Sequence, residues 1–306
     1  MNMAYAHLPV LLDEVVAALA PVRGEVFVDC TLGGGGHTEA LLEAVDCRVV
    51  GLDRDPAAIR AATARLDRFG GRFQAVHARF SDLAEVLDSL GLDAVDGVLA
   101  DLGVSSAQLD DPGRGFSFRR PGPVDMRMDP GAPVSAASVV HDWSEDALAD
   151  LIRRYGEEPR ARRVARAIVA GRPWSDTTTL ADAIARVLGG RRGSIHPATR
   201  VFQAIRIQVN DELGELQRLL PVAVERLRPG GRLAIISFHS LEDRLVKRFV
   251  AAESGRGTER DPYGRPVGLV RLSSRTRAVK PAPDDPNPRA RSARLRIATR
   301  LPCNDR

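Results

Sequence analysis

The sequence predicts an α/β protein: a doubly wound, mainly parallel sheet with an inserted all-helical domain. Three observations carry this. Short apolar runs recur at 25–30, 48–52, 72–77, 95–100 and 232–237, with amphipathic helical patterns between them at 39–45, 56–69, 81–90 and 212–227. Such alternation builds a parallel sheet with helices on its faces. The first run breaks into four consecutive glycines, Gly33 to Gly36, and the second ends in an acid, Asp53. The spacing is regular up to Asp101, and then the long interval 102–231 passes before the next strand-like run. We therefore expect a sheet domain in two parts, 1–108 and 201–306, with a helical insertion over 109–200 between the fourth and fifth strands.

The first element is the run Val26-Phe27-Val28-Asp29, followed by Cys30-Thr31-Leu32, the glycines, and a helix-like stretch from Glu39 to Val45. A loop without β-carbons lets a ligand lie against the backbone at the carboxyl end of a parallel strand. The second run, Arg48 to Leu52, ends in Asp53, where a carboxylate can accept hydrogen bonds from both hydroxyls of a ribose. Loop and acid together indicate a nucleoside cofactor. The dinucleotide fingerprint also needs a third small residue, and here Thr38 or Glu39 stands in that place. A pyrophosphate wants bare helix amides, and His37 crowds the helix start. S-adenosylmethionine carries no phosphate and fits the pattern better; an NAD-dependent enzyme is the alternative.

The fourth run ends Val98-Leu99-Ala100-Asp101-Leu102-Gly103-Val104-Ser105-Ser106. In amino-group methyltransferases an Asp, Asn or Ser before a tight turn presents an acceptor to the target amine, and Asp101 occupies that place. Methyl transfer to an amine depends on in-line positioning and on an acceptor for the positive charge that develops on nitrogen. Ser105, which can also cap a helix, joins Asp101 as a candidate catalytic group. A Pro/Gly-rich loop follows from Asp110 to Pro133, then helical patterns at 144–155, 158–170 and 179–188. The fifth run leads into Ser237-Phe238-His239-Ser240, which puts His239 at the ligand crevice. Ala252 to Ala290 reads as a long loop, with closing strands at 269–272 and 293–298.

Hydrophobic content of 44% and charge of 27% are those of a soluble globular protein. No apolar run approaches the roughly 18 residues of a membrane span, and the N-terminus lacks the basic start of a secretory signal. Cys30, Cys47 and Cys303 show no metal-ligand spacing, so they read as free thiols in a reducing cytoplasm, and no structural metal is expected. All but Lys247 and Lys280 of the 44 basic residues are arginine, and the net charge is +4. Arg153, Arg154, Arg160, Arg162, Arg163 and Arg166 gather in one stretch. Arg271, Arg275, Arg277, Arg289, Arg291, Arg294 and Arg296 gather in another. Two basic stretches in a nearly balanced chain suggest a nucleic-acid footprint, with Arg162, Arg163 and Arg166 as candidate contacts. Solvated helix faces or internal pairs with Glu157 and Glu158 are the alternative.

Several longer segments carry a family resemblance across nearly the whole chain. They include His7-x-Pro9-Val10-Leu11-Leu12-Asp13-Glu14, Asp29 to Thr38, Gly51-Leu52-Asp53-Arg54-Asp55 and Asp101 to Asp110. Further along stand Arg114-Gly115-Phe116-Ser117-Phe118, Asp125-Met126-Arg127-Met128-Asp129, Arg200 to Leu213, Ser237 to Arg244 and Asn287 to Ser292. With these motifs the chain resembles the bacterial 16S ribosomal RNA cytosine-N4 methyltransferases, the MraW family. The resemblance implies a Rossmann-like, class I S-adenosylmethionine methyltransferase fold. It implies transfer of a methyl group to the N4 amine of a cytosine in the decoding region of 16S ribosomal RNA, in an assembled or nearly assembled small subunit. Carried over, cofactor contacts fall on Gly34, Gly35, Gly36 and His37 at the methionine end, Asp53 at the ribose, and Phe80, Asp101 and Gln108. Phe80 offers an aromatic face to adenine. Asp125 and Arg127, with Asp129, would close over the cytosine, and His239 would orient the base or the RNA backbone. A cytoplasmic monomer or homodimer is expected. A methyltransferase acting on DNA cytosine or a protein amine, and an RNA-binding assembly factor, are the competing readings.

Overall fold

The computed structural model describes residues 9–190, 196–256, 270–274, 277–285, 287 and 289–302. His7, Arg275, Pro288 and Cys303 lie outside the described residues. The chain divides into two compact units, Met1–Gly103 with Gly214–Arg306, and Val104–Leu213.

The first unit opens with α1 (Leu12–Leu19) and then alternates: β1 (Val26–Asp29), α2 (Gly36–Ala44), β2 (Arg48–Asp53), α3 (Pro56–Leu66), β3 (Phe73–His77), α4 (Leu83–Ser89) and β4 (Val95–Asp101). Local chemistry sets several boundaries. Asp55 caps α3, its side chain accepting from the Ala57 amide at 2.9 Å, and Pro56 takes the first helical turn, where no amide is needed. Gly35 caps α2 at φ 78, a left-handed conformation, and a β-carbon there would also meet Leu66 at 2.9 Å.

The second unit follows: α5 (Ser106–Asp110), α6 (Ala136–Asp142), α7 (Glu145–Gly156), α8 (Ala161–Ala170), α9 (Thr177–Leu188) and α10 (Thr199–Asn210). The chain then re-enters the first unit through α11 (Glu212–Arg226), β5 (Leu227–Ser237), α12 (Ser240–Glu253), β6 (Leu272–Ser274) and β7 (Arg294–Arg300).

The seven strands run in the order β3-β2-β1-β4-β5-β7-β6. All pairs from β3 to β5 are parallel, and β7 lies antiparallel to both β5 and β6. The predicted doubly wound sheet is what the chain forms. Alternate residues feed separate cores on its two faces. Val28, Val50, Val98, Ala100 and Ile235 join Leu216, Leu220 and Val246. Phe27, Val49, Leu99, Ala234 and Ile236 join Leu19, Leu41 and Leu66. Successive β-strands leave β1 in opposite directions, so the switch point falls between β1 and β4. Ligands in such sheets bind outside the carboxyl ends of strands at that point.

The second unit is helical around its own core of Val140, Leu148, Ile152, Val164, Ile168, Leu180, Ile184, Phe202 and Ile205. The expected insertion, 109–200, is extended at both ends. The helix over 199–210 was not foreseen. It belongs here because its apolar face, Val201, Phe202, Ala204, Ile205 and Val209, is buried in this helical core. Buried Asn210 closes the loop before α6: Met128 N donates to its Oδ1 at 2.8 Å, and its Nδ2 donates to Met126 O at 2.7 Å. That clip holds Met126 at φ 60, a strained value for a side-chain-bearing residue.

Asn210→Ala leaves two buried backbone groups without their partner. It is expected to destabilise the helical unit by about 2–4 kcal/mol, read by urea unfolding followed through Trp143 and Trp174 fluorescence. A change under about 0.5 kcal/mol, the range of an ordinary surface substitution, would contradict the clip.

Candidate active site

Three carboxylates end three neighbouring strands of the first unit: Asp29 on β1, Asp53 on β2 and Asp101 on β4. Asp29 pairs in register with Gly51 on one side and Leu99 on the other, at the centre of the switch point. Its Oδ2 accepts from Thr38 Oγ1 at 2.8 Å and its Oδ1 from Thr31 N at 3.1 Å. It therefore ties both ends of the glycine loop to the strand. Burial outweighs these bonds and pushes the Asp29 carboxyl up to about 6.

Asp53 braces the same loop from β2. Its Oδ2 accepts from Gly33 N at 2.8 Å and its Oδ1 from Asp55 N at 2.8 Å. Each oxygen keeps a second lone pair, and the residue is only partly enclosed. Burial, against those two amide bonds, raises it to about 6. Gly34 has open space where a β-carbon would stand, whereas a β-carbon on Gly36 would meet Pro9 at 2.4 Å. The loop is thus packed on one side and bare at Gly34.

Asp101 is held by its backbone, its amide donating to Thr31 Oγ1 at 2.6 Å. Its Oδ1 is enclosed and, among the described residues, accepts no hydrogen bond. Burial first, then the Asp29 and Glu242 carboxylates, push Asp101 well above the usual carboxylate range. About a quarter of the side chain, 24%, still reaches solvent. Buried His37 lies beside it, Nδ1 to Oδ2 3.9 Å. A strand-end carboxylate with part of its side chain open, beside a glycine loop bare at Gly34 and an acid with lone pairs to spare, suits a nucleoside ligand and an incoming amine.

Phe80 opens the short turn after β3 and packs, partly buried, against the core face that holds Val76 and Ala78. His239 caps α12: its Nδ1 accepts from Glu242 N at 3.4 Å, and Glu242 Oε2 accepts from the Phe238 and His239 amides at 2.9 and 3.2 Å. Its Nδ1 thus serves the helix cap, and its Nε2 lies 3.2 Å from Glu242 Oε1. A cavity of about 570 Å³ lies elsewhere in this unit, lined by Glu14, Ser273, Ser274, Ile297 and Thr299, and none of the residues above lines it.

In the helical unit Ser105 caps α5. Gln108 N donates to Ser105 Oγ at 3.2 Å and Ser105 N to Gln108 Oε1 at 3.0 Å, a reciprocal capping box. The chain places this box four residues beyond Asp101. Asp125 and Arg127 form a two-pronged ion pair, with Nη2–Oδ2 2.7 Å, and Arg127 also holds Ala132 O at 2.9 Å. They brace the loop before α6.

The arginines of α7 and α8 divide into two kinds. Arg162 pairs with Asp146 at 2.7 Å and Arg166 with Glu145 at 3.5 Å, not with Glu157 or Glu158. Arg154 and Arg163 are exposed and, among the described residues, make no ion pair, so they are the open cations of this surface. Much of the second basic stretch is internal: Asp243 holds Arg294 and Arg296 at 2.9 and 2.8 Å, and Glu253 holds Arg271.

Asp29, Thr31 and Thr38 were not among the residues expected to form the site. The signal was present as an acid at a strand end with a threonine nine residues on, but an acid there reads equally as a simple strand terminator.

Asp29 carries a pH signature. Its folded pKa lies above its ordinary value of 3.8, so the folded chain holds this proton more tightly. The contribution is complete below about pH 4 and lost as pH rises through about 6, a change on the order of 3 kcal/mol. Asp29→Asn should flatten the fall in unfolding free energy between pH 4 and 7. An unchanged slope in denaturant melts across that range would contradict the assignment.

A sequence model of the MraW methylase family matches residues 4–301. A ribosomal RNA small subunit methyltransferase H of Thermomicrobium roseum is 50% identical over 98% of this chain and 95% of its own length. One from Methylocella silvestris is 50% identical over 96% and 87%. A SAM-dependent O-methyltransferase structure from Thermotoga maritima aligns over 100% of this chain and 71% of its own at 12% identity, with a TM-score of 0.44. On the match along almost its whole length, the chain belongs to the MraW methylase family, a family of S-adenosylmethionine-dependent enzymes.

Proposed function

We propose that the protein methylates the exocyclic N4 amine of a cytosine in the decoding region of 16S ribosomal RNA, acting on the small ribosomal subunit in the cytoplasm. The observation that carries this is Asp101: a partly open carboxylate of raised proton affinity, at the switch point beside the glycine loop. The names of relatives at half identity support a ribosomal RNA substrate. S-adenosylmethionine supplies an activated methyl group. Asp53 would receive the ribose hydroxyls, Gly34 to His37 would face the amino-acid end, and Phe80 would cover the adenine. Gln108 would complete the cofactor contacts.

The protein's own chemistry is positional. Asp101 accepts a hydrogen bond from the target amine and so fixes its direction of approach. The same carboxylate meets the positive charge as it grows on nitrogen, and receives the surplus proton. Its raised proton affinity suits it to that second task. In this reading Ser105 acts by bracing the turn after Asp101, and His239 by setting the start of α12. The helical unit reads the RNA through Arg154 and Arg163, with Arg162 and Arg166 partly screened by their acidic partners; Asp125 and Arg127 shape the loop that would close on the base.

Small subunits lacking the modification, incubated with the protein and methyl-labelled S-adenosylmethionine and then digested to nucleosides, should yield labelled N4-methylcytidine from one position. Asp101→Ala should lower the single-turnover yield about 100-fold or more. Arg154→Glu with Arg163→Glu should weaken subunit binding and flatten its salt dependence, while cofactor affinity stays unchanged. Label in another nucleoside or in protein, or a wild-type rate from Asp101→Ala, would overturn the proposal.

A further inference from the structure

Buried His37 lies against the strand-end acid Asp101. Buried His37 has its Nε2 3.0 Å from the Val10 carbonyl oxygen. A carbonyl can only accept, so Nε2 carries the hydrogen and Nδ1 of the neutral ring presents its lone pair. That lone pair faces Asp101 Oδ2 at 3.9 Å. The separation is within ion-pair reach and slightly beyond a hydrogen bond. The other carboxylate oxygen, Oδ1, is the enclosed one without a donor. Because Oδ1 is enclosed, the 24% of the Asp101 side chain that reaches solvent leaves Oδ2, the oxygen beside the imidazole, as the one nearer an incoming amine.

We infer that His37 is a positioning residue for the transfer, holding one proton jointly with Asp101 and orienting that carboxylate for the amine. The inference rests on the proposed amine methylation. In the resting pair the ring is neutral and the carboxylate ionised. As the amine nitrogen bonds the methyl carbon, the sulfur–carbon bond breaks with its electron pair left on sulfur. The nitrogen's surplus proton passes to Asp101, and the pair goes from one negative charge to none. A hydrogen bond from the protonated carboxyl to Nδ1 then holds that proton until the product leaves. Among the described residues, the acids that raise Asp101 are Asp29 from β1 and Glu242 from α12. Both are acidic, so both favour retention of the proton. The Val10 carbonyl gives the arrangement its direction, since it keeps Nδ1 rather than Nε2 toward the acid.

The test begins on the protein without cofactor or RNA. Imidazole ¹⁵N spectra of His37 are followed across pH in the wild type and in Asp101→Asn. Shared proton occupancy predicts that removing the carboxylate lowers the His37 titration midpoint by about one pH unit or more, with Nε2 protonated in the neutral ring of both. An identical midpoint in the two proteins, or an Nδ1-protonated neutral ring, overturns the inference whatever the enzyme methylates. The second arm is the pH profile of single-turnover methylation. His37→Gln keeps a donor toward Val10 and removes the titrating nitrogen. Measured at saturating S-adenosylmethionine, it should lower the rate about 10- to 100-fold and move the acid limb of the profile. A rate loss with an unmoved profile would mean that His37 only packs the loop. Absence of N4-methylcytidine from the wild-type protein would instead contradict the proposed reaction and leave the spectroscopic arm to judge the pair.

Discussion

Everything at this site depends on burying acids at the ends of parallel strands. Asp29, Asp53 and Asp101 stand within a few residues of the switch point, and burial raises the proton affinity of all three. Burying a carboxylate is costly unless it finds donors. Asp29 and Asp53 find theirs in the backbone of the glycine loop and in Thr38. The loop is thereby fastened to β1 and β2 at the same time. Asp101 is the exception: two satisfied acids brace the loop, and the third keeps an enclosed oxygen without a donor among the described residues.

The helical unit solves a different problem. It is inserted between β4 and β5, and its loop from 111 to 134 carries little regular structure. Asn210 and the Asp125–Arg127 pair supply the order that backbone ladders do not. Residues that resemble an open charged patch in one dimension are largely self-satisfied in three. Arg154 and Arg163 remain as exposed cations, and they are the ones that a phosphate backbone could reach at least cost, because no acid must first be displaced.

The parallel sheet was legible because its signal is local. Apolar runs spaced by helical patterns leave few other architectures, and Gly33 to Gly36, Asp53 and Asp101 each announce themselves at a strand end. What stayed hidden depends on contacts between distant residues. Asn210 serves Met126 and Met128, more than eighty positions away. Arg162 and Arg166, on α8, find acids on α7 rather than their neighbours in sequence, since the packing of the two helices selects the partner. Asp29 was hidden for another reason: its role depends on the hydroxyl of Thr38, which a reading of the glycines alone passes over. His239 stood in the expected place, yet its Nδ1 serves a helix cap and its Nε2 lies against Glu242.

The central claim is that Asp53, bracing the glycine loop from the end of β2, also receives the cofactor's ribose. Calorimetric titration of Asp53→Ala with S-adenosylmethionine, beside the wild type, tests it most directly. Loss of those hydrogen bonds predicts a dissociation constant raised roughly 5- to 150-fold, or about 1–3 kcal/mol, in a variant whose far-ultraviolet dichroism shows the sheet intact. An unchanged dissociation constant would contradict the account.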